Sequence, residues 1–348
     1  MEGFSVPVSI AFCVNYVVGA GSLTLPWAFQ QSGGALGVLM MIVMAYFSIS
    51  AILFIVEAMV RASLLADNVK GNEFEPLNKD DTFSVHENNN PNAIVSKRKF
   101  EITELCEIFL GNKGKLAYAV IICVYMYGTL WVFATVFAHA LSSHFPLGSP
   151  QFSYLVFLVL YGMIVVPVSC LELTEQVFVQ VTLSICRIMM ILTMLFTITI
   201  AFYKDNQPFL EFNHVHIHHS SLLRADYTKL YILLPIAAYA NVFHHSIPAL
   251  SHPVRDKSKL TSIFIYTTIF CLCAYSLIGC IISSYFGVYI KTSSNLNWVS
   301  YSGFVPAVDM AHIPWYVCLV VCIYAQCAHV LLRTSVCMSS VGMFFVYE

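Results

Sequence analysis

Long apolar runs broken by short polar stretches set the pattern of this chain. A membrane-spanning helix needs about 20 apolar residues. Eight stretches meet that length: 5–27, 34–60, 116–141, 152–171, 178–202, 230–250, 261–286 and 312–334. The pattern predicts an all-α polytopic membrane protein with about eight transmembrane helices, forming one transporter-like domain over 1–348. Most connections are short. Residues 62–99 are polar, with Glu73, Glu75, Asp80, Asp81 and Asn88 to Asn90, and are expected to be a disordered loop. Residues 203–229 form a second long loop.

Two of the apolar stretches are interrupted. The first reads N-Y-V-V-G-A-G-S-L-T-L-P over 15–26, and Gly19, Gly21 and Pro26 are expected to break it at membrane depth. A broken helix in hydrocarbon leaves backbone N–H and C=O groups without partners, at several kcal/mol each. The break is tolerable where it lines a polar cavity or holds a ligand. The N–H groups of a half-helix carry partial positive charge and suit a carboxylate. The sixth stretch places Asn241, His244, His245 and Ser246 in an apolar run and closes on Pro248. These polar groups are costly in hydrocarbon, and proline removes a backbone donor. Inverted-repeat transporters carry discontinuous helices at matching positions of their two halves, with substrate between them. The two breaks lie five segments apart, in the first and the sixth, which fits a five-plus-five repeat.

Composition supports the membrane reading. The chain is 58% hydrophobic and 10% charged, against about 25% charged in soluble domains. A net charge of −2 and the lack of a phosphate-binding loop argue against nucleic-acid and nucleotide partners. The start, Met1-Glu2-Gly3, has no basic region, so the first segment reads as a retained helix. Placing the N-terminus in the cytoplasm puts 13 of the 17 Lys and Arg inside, as orientation by basic loops requires. The stretch 62–99 is then cytoplasmic and 203–229 extracytoplasmic. Plasma and endolysosomal membranes both suit this topology. Most of the 12 cysteines lie within apolar segments, where they read as small packing residues.

Asn15, Gly19, Gly21, Leu25 and Pro26, followed by Ala28, Phe29 and Gly33, resemble the first-helix motif of the amino acid/auxin permease family, part of the amino acid–polyamine–cation superfamily. Phe243 to Pro248, leading to Pro253 and Lys257, resembles the sixth-helix region of one branch. Glu57 and Met59, the run Ile102-Thr103-Glu104, and Tyr125, Tyr127 and Gly128 are similar to that branch as well. The resemblance covers about 5–260. It implies secondary transport of small amino acids driven by protons or sodium, without a cofactor. It also implies about eleven helices, with 1 to 5 and 6 to 10 related by inversion. Carried onto this chain, Asn15 and the amides around Gly19, Ala20, Gly21 and Ser22 receive the substrate carboxylate, and the turn from Asn241 to His244 and His245 completes the site. The chain ends soon after the eighth segment, which matches the family poorly. It therefore reads as a shortened inactive product, as dependent on a partner protein supplying later helices, or as an amino-acid sensor that does not transport.

Other residues are open to more than one role. His244 and His245 suit proton exchange, since histidine titrates near neutrality, and equally suit hydrogen bonding to substrate. Glu57, near the inner end of segment 2, reads either as a coupling group or as an interfacial carboxylate. His139 reads as interfacial, and Arg187 with Glu172 and Glu175 as an interfacial ion-pair set. In the run His214, His216, His218 and His219 no carboxylate or thiol completes a closed site, so it reads as solvated loop histidines with weak adventitious metal binding at most. Cys318, Cys322 and Gln326 share a helical face and read as packing. No nucleophile–base pair appears, and an enzyme is not expected.

Overall fold

A computed structural model describes residues 4–19, 21–72, 101–169, 185, 188–201 and 225–300. Nine α-helices lie within them: α1 (Val6–Val17), α2 (Gly21–Ser32), α3 (Gly34–Asn72), α4 (Ile102–His144), α5 (Pro150–Ser169), α6 (Ile188–Ala201), α7 (Leu230–Asn241), α8 (Ile247–Ser251) and α9 (Leu260–Phe286). Among the described residues, four spans are long and apolar enough to cross a membrane, and α1 with α2 makes a fifth if the pair counts as one broken span. The eighth predicted segment, most of both long polar stretches, the histidine run, Arg187 with its two glutamates, and Ala20 lie outside the described residues.

Three boundaries differ from the sequence reading. Helix α3 continues to Asn72, so 62–72 are helical and not part of a disordered loop. The residues Ala62, Leu64, Leu65 and Ala66 are helix formers, and Ala62 and Ser63 are buried. Helix α4 begins at Ile102, ahead of the apolar stretch proper. Pro26 lies inside α2 and does not form the break; the interruption falls earlier, between Val17 and Gly21.

Contacts group the chain into two compact units. The first comprises Met1–Val17, Ala45–Tyr118 and Asn241–Cys271; the second comprises Val18–Met44, Ala119–Ala240 and Leu272–Glu348. The chain therefore changes unit within or beside each of the two predicted breaks, at Val17 to Val18 and at Ala240 to Asn241.

In the first unit, Phe4 is tied to the segment 253–255 through its backbone. Its N–H donates to the Pro253 carbonyl at 2.7 Å, and its carbonyl accepts from the Arg255 N–H at 3.1 Å, forming a parallel bridge to Val254. The start of α1 is thus pinned to the loop that follows α8. Lys257 closes the end of α8 by donating to the Ser251 and His252 carbonyls at 2.5 and 2.8 Å. A cation at a helix C-terminus complements the carbonyls left unpaired there.

The second unit has a core of large side chains from α2, α4, α5, α6 and α9, including Leu23, Phe133, Tyr161, Met194 and Ile282, together with Trp298 from the segment after α9. Phe29 is fully buried, and its ring lies where a side chain on Gly37 or Gly279 would begin, at 2.7 and 2.6 Å. Small residues let membrane helices approach closely, and here they make room for an aromatic ring.

The sixth and seventh crossings begin with the same device. Asp226 accepts from the N–H and hydroxyl of Thr228 at 3.0 and 2.5 Å. Asp256 accepts likewise from Ser258 at 3.2 and 2.6 Å. An acidic N-cap satisfies donors that a helix start leaves open. The Asp226 N–H also donates to the Ser32 carbonyl at 2.7 Å, which joins the end of α2 to the start of the sixth crossing.

Candidate functional site

Each interrupted crossing contributes residues to both units, and within each unit helix 1 meets helix 6. In the first unit, α1 ends with Asn15, half-buried, and Tyr16, buried. The sixth crossing leaves its helix at Asn241, passes Val242 and Phe243, makes one 3₁₀ turn over His244–Ser246, and resumes as α8. Pro248 sits in the first turn of α8, where its missing N–H costs nothing. The Tyr16 hydroxyl and the Ser246 hydroxyl share a hydrogen bond across 230 residues of sequence. The Asn241 side chain is buried, and the Asn241 backbone carbonyl accepts from the Ser48 hydroxyl at 3.3 Å.

His244 and His245 are half-buried. The His244 ring lies 6.0 Å from that of Phe243. Its Nδ1 is buried with no hydrogen-bond partner among the described residues. A buried polar atom without a partner is costly. The side chains Asn15, Tyr16, Ser48, Asn241 and Ser246 carry no charge near neutral pH, and the two histidines are the imidazoles beside them. Glu57 belongs to the same unit, yet it pairs with Arg61 at 2.6 Å, and both side chains are more than half exposed. The structure gives it a carboxylate–guanidinium partner one helical turn away.

In the second unit, the break is made of backbone. Gly19 is outside any helix, and α2 starts at Gly21. Ser22 folds back on the Gly19 carbonyl through both its N–H, at 3.2 Å, and its hydroxyl, at 2.8 Å. The remaining first-turn amides of α2 form a helix N-terminus with its partial positive charge. A Cβ on Gly21 would stand 2.8 Å from the Ala240 Cβ and 2.9 Å from its Cα. The last turn of α7 therefore lies directly on the start of α2, and only glycine fits there.

Sequence reasoning did not single out Tyr16, Ser246 or Ser48 as partners, nor a third contributor from beyond α9. The buried Ser294 hydroxyl donates to the Leu23 carbonyl at 2.8 Å. Ser294 opens a 3₁₀ segment, Ser294–Ser300, whose Trp298 is fully buried and donates to the Thr197 hydroxyl at 3.0 Å. The signal was present in the polar run S-S-N-L-N-W at 293–298, where Ser293, Asn295 and Asn297 are also buried. Among the described residues, no three His, Cys, Asp or Glu side chains gather as metal ligands.

In the second unit the helix N-terminus offers hydrogen-bond donors, and in the first unit neutral side-chain oxygens and imidazoles offer acceptors. The described elements define a multi-pass helical membrane protein with interrupted first and sixth crossings. Residues 2–298 match the family model for transmembrane amino acid transporter proteins, and the chain belongs to that family. The branch that its sixth segment resembles is that of transmembrane protein 104. Human transmembrane protein 104 is 20% identical over 80% of this chain and 63% of its own length. The Dictyostelium discoideum homologue is 21% identical over 87% of this chain and 66% of its own, and that of Caenorhabditis elegans 23% over 74% and 53%. The chain spans just under two-thirds of the length of the first two relatives and about half of the third.

Proposed function

We propose that this protein is a secondary active transporter of small amino acids, coupled to protons or sodium, with substrate held at the breaks of helices 1 and 6. The observation that carries the proposal is the packing of the two interrupted crossings on each other in both units, through Tyr16 and Ser246 in one and Gly21 and Ala240 in the other. In this reading the carboxylate sits at the amides around Gly19, Ala20, Gly21 and Ser22. The remainder of the substrate meets Asn15, Asn241, His244 and His245. The N-terminus is cytoplasmic, following the distribution of Lys and Arg.

The proton arm of the reading assigns His244 the role of exchanging a proton as substrate arrives, because its Nδ1 has an open hydrogen-bonding position. The sodium arm leaves both histidines as substrate ligands. Reconstituted protein and labelled amino acids test the proposal, with a proton or a sodium gradient imposed separately. Uptake that depends on one gradient and is lost in Gly21→Val and His245→Ala supports it. Uptake unchanged in both variants overturns the assigned site. A folded protein whose unfolding temperature responds to no common amino acid, with sodium or at either of two pH values, overturns the substrate class, since a ligand at a hundredfold excess over Kd stabilises by about 2.7 kcal/mol.

A further inference from the structure

Helix α4 is 43 residues long. As a straight α-helix it would extend about 64 Å, roughly twice the 30 Å of a bilayer's hydrocarbon core. It is not straight: Gly111 stands inside it at φ 71°, ψ −173°, a conformation that side chains other than glycine's rarely adopt. Residues 102–110 are therefore a separate nine-residue helix, joined by a glycine corner to the crossing that follows. That helix carries its apolar side chains outward. Ile108, Phe109 and Leu110 are exposed, Leu110 by 69%, and so is Leu116 just past the corner. Leu105, in contrast, is buried in the unit. Glu107 and Lys115 form an ion pair at 2.7 Å across the corner, so the polar side of the bend is internally satisfied.

We propose that 102–110 is an in-plane membrane helix. It lies along the leaflet from which the third crossing departs, with Ile108, Phe109 and Leu110 at the boundary between head groups and acyl chains. Two observations select the lipid surface as the occupant. The helix runs without interruption of chain into a membrane crossing, and its outward residues are as apolar as the exposed residues of that crossing, such as Val120 and Val124. A helix projecting into water would leave three consecutive large apolar residues unburied, against the driving force of burial at about 25 cal/mol per Å². Seating in the interface removes that exposure, as it does for other interfacial amphipathic helices. The helix thereby holds the end of the second-to-third connection at a fixed depth.

Trypsin cuts after Lys99 and Lys113 and releases peptide 100–113, which contains the whole element. The full chain in phosphatidylcholine vesicles is photolabelled in parallel with a phospholipid carrying a diazirine on its acyl chain and with a water-soluble diazirine. The proposal expects insertion of the lipid reagent at 108–110. It also expects loss of that insertion in Phe109→Ser/Leu110→Ser and in Gly111→Ala, while peptides from the crossings stay labelled. Labelling of 100–113 by the aqueous reagent alone would overturn it in favour of a projecting helix. Labelling by neither reagent would overturn it in favour of a protein covering. The wild-type result decides between these outcomes even if a variant fails to fold.

Discussion

At the end of α1 the chain leaves the helix through Val18 and Gly19 and starts again at Gly21. At the end of α7 it leaves through Val242 and Phe243 and makes a 3₁₀ turn of two histidines and a serine before α8. The first interruption is built from main chain and absent side chains, the second from side chains. The difference follows from their neighbours. Gly21 faces Ala240 at a distance that excludes even a methyl group, whereas the sixth crossing has room for imidazoles. Substitutions in helix 1 should therefore act through volume and those in helix 6 through chemistry.

The strongest test of that contrast is Gly21→Val. Forcing a branched side chain against Ala240 is expected to cost about 1–3 kcal/mol as overpacking and to abolish ligand-induced thermal stabilisation. Adding Ala240→Gly should restore only part of the loss, because the Ala240 Cα remains, 2.9 Å from where the Cβ of the new side chain must stand. Full recovery in the double variant would show that side-chain volume alone separates the helices. Tyr16→Phe comes next. It leaves the buried Ser246 hydroxyl without its partner, at about 1–3 kcal/mol. Ser246→Ala should destabilise similarly, and the double variant by less than the sum of the two, measured by denaturation in detergent.

Asp226→Ala removes the cap of the sixth crossing and is expected to cost about 1 kcal/mol, without altering ligand specificity. The matching cap at Asp256 adds a pH dependence. The hydrogen bond from the Ser258 hydroxyl, opposed by desolvation and aided by the Ser258 N–H and Lys259, holds the Asp256 carboxyl below its usual range. A depressed carboxyl stabilises the fold above its unfolded pKa, and the contribution is lost as pH falls through the folded value. Asp256→Ala should flatten that acid-side dependence in a melting series from pH 3 to 6, roughly the range over which carboxyls titrate. His244→Gln should be the mildest for stability, because Nδ1 has no hydrogen bond to lose among the described residues. Its effect should instead fall on the pH dependence of uptake. Destabilisation as large as that of Tyr16→Phe would assign His244 a structural role and weaken the contrast.

The two interruptions were legible because each departs from what hydrocarbon tolerates: paired glycines in one run, and amide, imidazole and hydroxyl groups in the other. Their partners were not. Tyr16 and Ser246, or Gly21 and Ala240, meet only through packing of distant segments, and no local pattern encodes that register. Pro26 shows the limit of residue-type reasoning. Proline is expected to end a helix, yet Pro26 is the sixth residue of α2, and the chain breaks before it. The corner at Gly111 is hidden for a different reason: the apolar run starting at 116 is long enough to cross a membrane by itself, so nothing in it calls for the nine-residue helix that precedes it.

The bridge at Phe4 is written in main-chain atoms only. Its two hydrogen bonds are indifferent to the side chains at 4, 253 and 255, provided that positions 4 and 255 keep their N–H groups. Almost any residue can replace Phe4 or Arg255 without touching the bridge, and proline alone is forbidden. The fastening of helix 1 to the loop beyond helix 6 can therefore persist through wide sequence drift while leaving no trace in the letters of the chain.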